Sequence, residues 1–257
     1  MALRKLWNTL SGECLQTFDH THIVRAVAFP PTTIPQLLAT GSHDKKLQIF
    51  DINHYSALGS SASATHNATA APSSTDGTSY EIGAGAHTGA IRSVIWGPDF
   101  NLIITATEDS VIRWWDLRQR IPITSTSLQG TLGTCELNSL QSTPTTRKSV
   151  ISVAAGNTAY FFDAKTPGSL LDKVETPHEI ASVAFHPDEG KFVVGGSKDT
   201  YVRVYNLQGE ELELLKGHHG PVWTTNFAPN GKVYATGSED GTIKLWKFCQ
   251  EPYGLWR

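Results

Sequence analysis

Along most of its length the chain alternates apolar and polar residues with a period of two, the pattern of strands that turn one face to a core and one outward. Towards its C-terminal end the pattern runs through Trp223–Phe227, Lys232–Ser238 and Thr242–Trp246, interrupted by Ala228-Pro229-Asn230-Gly231 and Glu239-Asp240-Gly241. Asn-Gly and Asp-Gly pairs close hairpins, so these three runs predict an antiparallel meander. Similar runs recur upstream and end on Trp7, Phe50, Trp115, Phe162, Tyr205 and Trp246, at intervals of 43, 65, 47, 43 and 41 residues. Each aromatic is followed by a polar residue: Asn8, Asp51, Asp116, Asp163, Asn206 and Lys247. The long interval contains a stretch rich in Ser, Ala and Thr, Ser56–Ser79, whose 24 residues account for the excess. A period of about 40–45 residues closing on an aromatic-Asp pair marks the four-stranded blades of a β-propeller.

The repeat has an inner logic. His218 precedes Asp240 by 22 residues and His87 precedes Asp109 by the same distance, and in both units a Trp (Trp246, Trp115) follows the Asp after 6 more. A meander folds its opening loop and its second hairpin turn onto one rim. There the Asp can accept from the imidazole, while a hydroxyl of the second strand, Thr236 or Ser238 and Thr105 or Thr107, bridges to the indole N–H. A buried Asp is costly unless its lone pairs are satisfied, so the network has to be nearly complete. Asp44 and Asp199 hold the same place in units ending on Phe50 and Tyr205. With no indole to bridge, Asp199→Ala is expected to cost less than Asp240→Ala. A catalytic His/Asp/Ser triad is the competing reading, but a constellation that recurs from unit to unit is structural.

The expected units are 1–18 (a partial blade), 19–53, 54–86 (insertion and linker), 87–120, 121–165 (degenerate, with Gly156-Asn157 at its turn and no opening His), 174–208 and 214–257. Lys5–Trp7 reads as a third strand and Cys14–Phe18 as a fourth. Ser56–Ser79 cannot bury enough apolar surface to fold and is expected to be a disordered excursion.

Several stretches carry a resemblance: Lys5–Trp7 with Ser11–Glu13, His22–Phe29, Gly41 to Asp51, Gly217–Val222 and the tail Tyr253–Trp256. Over essentially the whole chain they resemble the WD40 family and, within it, the serine/threonine-kinase-receptor-associated proteins, outside which the tail is uncommon. The i subunits of translation initiation factor 3 are the second group that the chain resembles. The resemblance implies a seven-bladed propeller acting as a non-catalytic scaffold without cofactor or metal. It also implies partners in survival-of-motor-neuron-type assembly of spliceosomal particles, in mRNA processing and in translation control. A receptor-kinase role is part of it too, though no residue here speaks to that role. Measured against seven blades, the expectation is an all-β, open propeller of about five blades plus a two-stranded remnant, from a truncated gene product.

Composition narrows the chemistry. A net charge of −3 and a pI near 6.4 leave no general basic excess for phosphate binding, so direct nucleic-acid contact is not expected. Cys14, Cys135 and Cys249 lie far apart with no Cys-x-x-Cys spacing and read as reduced thiols rather than a disulfide or metal site. No apolar leader and no run of about 18 apolar residues is present, so the chain is expected to be soluble and intracellular, away from membranes, and the resemblance implies cytoplasm and nucleus. Gly83–Gly89 lacks the spacing and the following helix of a phosphate loop. His20, His22, His218 and His219 find no completing metal ligands at suitable spacing. Arg113-Trp114-Trp115 could stack bases, but in a third strand it is expected to face neighbouring blades.

The candidate partner-binding positions follow from the meander. The residues before each turn Asp (His43, Glu108, Lys198, Glu239) and those at the start of each first strand (Arg25, Arg92, Trp223) are expected on one rim, near the central channel. Trp and Arg are the residue types that dominate interface energetics. Trp223 can equally pack between blades. The functions left open are a protein-interaction scaffold, an RNA-contacting propeller and, against the absence of an acid/base pair outside the repeat, an enzyme of the channel.

Overall fold

The computed structural model describes residues 2–32, 35–52, 79–139 and 149–248. Most of Ser56–Ser79, the thiol of Cys249 and the tail Tyr253–Trp256 lie outside them. The described residues form strands, bridged by turns, in six antiparallel sheets. The first has two strands, β1 (Ala2–Trp7) and β2 (Cys14–His20). Four sheets follow with four strands each. They are β3 (Val24–Ala28), β4 (Leu37–Ser42), β5 (Leu47–Asp51) and β6 (Ser79–Ile82); β7 (Ile91–Trp96), β8 (Leu102–Thr107), β9 (Val111–Asp116) and β10 (Ile121–Ser127); β11 (Leu132–Ser139), β12 (Ser149–Ala155), β13 (Thr158–Asp163) and β14 (Leu170–Glu175); and β15 (Ile180–His186), β16 (Lys191–Gly196), β17 (Val202–Asn206) and β18 (Glu211–Leu215). The last holds β19 (Val222–Phe227), β20 (Val233–Ser238) and β21 (Ile243–Lys247). This is a propeller of five blades and a two-stranded element.

Three boundaries fall elsewhere than the sequence predicts, one of them at β18, which pairs with β17 although it lies past the expected unit 174–208. β6 completes the blade of β3–β5, although it sits in the expected linker 54–86. β10 pairs with β9 and belongs to the preceding blade, not to the unit 121–165, which is closed by β14 instead. The outer strand of each blade is thus supplied by the segment after the aromatic.

Because strand side chains alternate between faces, a blade with a neighbour on each side buries both of them, and the core is a series of layers between blades. Leu6 and Phe18 meet Leu38 and Phe50 in the first layer. Ile49 and Ile82 meet Ile91, Ile103 and Trp115 in the second, and Trp114 meets Ile151 and Phe162 in the third. Phe161 then packs with Phe192 and Tyr205, and Val193 with Phe227 and Tyr234. The neighbours Trp114 and Trp115 point to opposite layers and are both 0 % exposed, so neither offers a face to a base.

The first strands β3, β7, β11, β15 and β19 follow one another around the centre. β11 fits against β15 only because Gly133 has no side chain, since a Cβ there would lie 2.1 Å from the Ala181 carbonyl oxygen. On the last blade Ile243 and Leu245 are 79 % and 51 % exposed, and among the described residues no strand pairs with the far edge of β21. Exposed sheet face and free strand edge invite association. The 257-residue chain is therefore expected to show a mass that rises with concentration in sedimentation, and Ile243→Lys/Leu245→Lys to reduce that rise. A monomer at every concentration would show that these surfaces are not adhesive.

Candidate protein-interaction rim

Beneath the rim lies the hydrogen-bonded frame of each blade. In the last blade His218 Nδ1 is 3.1 Å from Asp240 Oδ2, His218 Nε2 is 2.7 Å from Thr236 Oγ1, and Trp246 Nε1 donates to the same hydroxyl at 2.7 Å. One protonation pattern satisfies all three: Nδ1–H donates to the carboxylate and the Thr236 hydroxyl donates to Nε2. Asp240 also accepts from the Thr242 hydroxyl at 2.6 Å and the His219 amide at 2.8 Å, which hold its carboxyl well below the usual range.

The blade of β7–β10 keeps half of this. His87 Nε2 lies 3.1 Å from Thr105 Oγ1, to which Trp115 Nε1 donates at 2.9 Å. Its Nδ1 makes no hydrogen bond to Asp109. Arg113 reaches that carboxylate first, with Nη2 at 3.2 Å, and the hydroxyls of Thr88 and Thr107 also donate to it. Burial pulls Asp109 upward, but these bonds hold it well below the usual range. Burial, with Arg113 nearby, lowers His87 to about 4, so its imidazole is neutral. The reason for the exchange is reach: a guanidinium four residues after the Asp, on the strand leaving the turn, lies beside the carboxylate.

Asp199 behaves likewise, accepting from Arg203 Nη2 at 2.7 Å, while Tyr205 donates instead to Glu211 at 3.1 Å. Asp44 accepts from the hydroxyls of Thr21 and Ser42, and His20 packs against Phe50. The sequence reading missed two regularities here. One is Asp-x-x-x-Arg at 109–113 and 199–203. The other is the residue after the opening His (Thr21, Thr88, His219), which reaches the turn Asp in each case.

Above this frame, the rim positions are set by β-bulges. Register shifts fall between Val24 and Ala26, Ile91 and Ser93, Ile180 and Ser182, and Val222 and Thr224. Arg25, Arg92, Ala181 and Trp223 are thereby left without a ladder partner, and a bulge re-aims its extra side chain. Arg25 Nη1 donates to Glu108 Oε1 at 2.7 Å and Arg92 Nε to the same oxygen at 3.3 Å, joining two blades. Trp223 is half exposed rather than packed between blades, and its Nε1 donates to Glu239 at 3.3 Å. Lys198 pairs with Glu179 at 2.8 Å, and His43 stacks on His22 at 4.7 Å between centroids. Small residues, Gly133 and Ala181, occupy the β11–β15 sector, so the reaching side chains gather on the other blades.

One group at the centre has no counterpart in the sequence reading. Glu136, on β11, accepts at 3.4 Å from Thr224 on β19, two blades away, and its Oε2 has no partner. Burial pushes its carboxyl up to about 7. Cys135 beside it is buried and Cys14 exposed, both as free thiols, and burial raises the Cys135 thiol. Among the described residues no three ligand-type side chains converge on a metal position.

The family repeat described as "WD domain, G-beta repeat" matches residues 12–51, 81–116, 170–206 and 209–247, more than half of the chain. The chain belongs to the WD40 family. Each WD40 match starts on or just before the outer strand of one blade and ends with the third strand of the next, so every repeat ties two blades together. The stretch 117–169 is unmatched, yet it supplies β10 to the blade before it and β11–β13 to its own. Among whole proteins this WD40 chain is 32 % identical over 255 residues to the serine-threonine kinase receptor-associated protein of Gallus gallus, covering 98 % of the chain and 63 % of that relative. With the protein of the same name from Dictyostelium discoideum it shares 33 % over 246 residues, 95 % of the chain and 72 % of the relative. Subunit I of eukaryotic translation initiation factor 3 from Drosophila virilis is 29 % identical over 172 residues, 62 % of the chain and 52 % of that subunit. The chain thus spans less than two thirds of the vertebrate relative's length.

Proposed function

We infer that this WD40 chain is a non-catalytic protein-interaction scaffold whose partners dock on the rim of Arg25, Arg92, Trp223 and Glu239. The observation that carries the reading is the set of bulges that lift the large, interface-type side chains Arg25, Arg92 and Trp223 from between buried strand neighbours such as Val24, Ile91 and Val222, above the hydrogen-bonded frame. The His and Asp side chains that could imitate a catalytic pair, His218 with Asp240 and the turn carboxylates Asp109 and Asp199, are engaged in that repeating frame. The resemblance of the sequence to that group implies a place in a survival-of-motor-neuron-type complex serving spliceosomal particle assembly, mRNA processing and translation control, in cytoplasm and nucleus, and the 32 % identity over 98 % of the chain to the receptor-kinase-associated protein supports the resemblance. The second reading, an i-like subunit of translation initiation factor 3, is favoured by the shorter match to that subunit.

Affinity capture on the tagged chain, read by mass spectrometry, separates them. Small Sm-like proteins are expected, whereas a set of initiation-factor subunits would favour the second reading and capture of neither would overturn both. Association with a purified partner is expected to weaken only mildly between 50 and about 200 mM salt, against the loss of roughly 10³-fold or more that several phosphate contacts would produce. A loss that steep would favour an RNA-contacting propeller instead.

A further inference from the structure

On the rim, two guanidinium groups from neighbouring blades converge on one carboxylate oxygen. Arg25 and Arg92 both bond Glu108 Oε1, and neither uses more than one of its nitrogens in doing so. Their side chains remain 38 % and 41 % exposed. An arginine fork is built to take a carboxylate through two parallel bonds, and here both forks are left largely open. The turn carboxylates form no ion pair with them: Asp44 accepts from Thr21 and Ser42, and Asp109 pairs with Arg113 and accepts from Thr88 and Thr107. Lys45, exposed at the adjacent turn in a left-handed conformation (φ 69°), adds a further positive charge to this sector. The chain as a whole carries −3, so the sector stands against its background.

We propose that the Arg25–Arg92 pair is a receptor for an acidic side chain in an extended peptide segment of the partner, with Glu108 as the internal group that holds the site until the partner's carboxylate replaces it. The proposal rests on the scaffold reading and specifies its chemistry. Glu108 itself shows that a carboxylate fits: one oxygen of a Glu side chain already reaches both arginines. At the guanidinium groups binding exchanges an intramolecular carboxylate for an intermolecular one while Glu108, already 34 % exposed, turns to water, and the free site is never left with two unpaired guanidinium groups.

The exchange makes two variants move in opposite directions. The probe is a fluorescein-labelled octapeptide of alternating Glu and Gly, titrated with the full 257-residue chain at low salt and read by anisotropy. Glu108→Gln removes the competitor and is expected to tighten binding about fivefold or more, whereas Arg25→Gln/Arg92→Gln is expected to weaken it at least about tenfold. Both are checked by urea unfolding, so that a loss caused by misfolding is recognised; Glu108→Gln then still decides, because a gain cannot come from misfolding. Weakened or unchanged binding in Glu108→Gln overturns the proposal. So does equal binding of a Lys-Gly octapeptide, or preferential binding of a single-stranded oligonucleotide of the same charge. If partner capture from the previous section survives Arg25→Gln/Arg92→Gln undiminished, the acidic-segment site falls while the scaffold reading stands.

Discussion

Asp199→Ala is expected to lower the stability of the folded chain by about 2–3 kcal/mol, and by more than Asp240→Ala does. The sequence predicts the opposite order, because Tyr205 replaces the Trp that completes the frame in the last blade. The structure reverses it through Arg203. That residue is only 5 % exposed, its Nη2 donates to Asp199 at 2.7 Å, and its Nε lies 3.4 Å from Glu211. Removing Asp199 leaves a buried guanidinium with only Glu211 at 3.4 Å and the Tyr201 ring at 5.3 Å, and breaking a buried pair from one side is among the costlier single changes. Glu211 and the partial exposure of Asp199 keep the loss below the upper end of that range. In Asp240→Ala the imidazole of His218 loses its bond to the carboxylate but keeps Thr236, and the other donors to Asp240, the His219 amide and the Thr242 hydroxyl, are exposed and can turn to water. Urea titrations of the two variants test the order, and equal midpoint shifts would show that Arg203 finds water or another acceptor. Removing both members, Asp199→Ala/Arg203→Met, should recover most of the loss. The Asp199 carboxyl is held below its ordinary range despite burial, by Arg203 and the Tyr201 amide. The stabilisation is therefore present above the unfolded carboxylate range and lost as pH falls through the lowered native value.

Glu136 should act with the opposite sign. Its carboxyl, pushed by burial from 4.5 to about 7 and only weakly opposed by the Thr224 bond, holds a proton in the folded chain that the unfolded chain has already released. Between those values the native state binds more protons than the unfolded one, so stability falls as pH rises through the window and stays low above it. The difference corresponds to on the order of 2–3 kcal/mol. Glu136→Gln imitates the protonated form at every pH. It is expected to match the parent near pH 5 and to exceed it by about 2–3 kcal/mol near pH 8.5, measured by urea unfolding at both. A difference that does not change with pH would mean that water reaches Oε2 and that Glu136 ionises as an ordinary carboxylate.

By itself the sequence determined the blades and their frame. Alternation with period two decides which residues share a face, so Trp114 and Trp115 were bound to enter opposite layers. The spacing of 22 and 6 residues is the contour of a meander, and it carries His218, Asp240 and Trp246 to one rim, where Thr236 links the His to the Trp. What alternation does not encode is the neighbour. β10 has the same pattern whether it closes one blade or opens the next, and only the chain's path past Asp116 assigns it to β9. Competition for an acceptor is written in a spacing outside the His-Asp-Trp pattern: Arg113 stands four residues after Asp109 and takes it from His87, as Arg203 takes Asp199, but only the packed side chains show which donor wins. The bulges at Arg25, Arg92 and Trp223 lie in pairings within single blades that alternation does not mark, and the meeting of Arg25 with Glu108, or of Glu136 with Thr224 across 88 residues, exists only once blades pack against one another. Local periodicity sets strands and turns, since each is stabilised by residues a few positions apart. The rim and the channel are made where different blades converge, so their geometry was decided by tertiary packing alone.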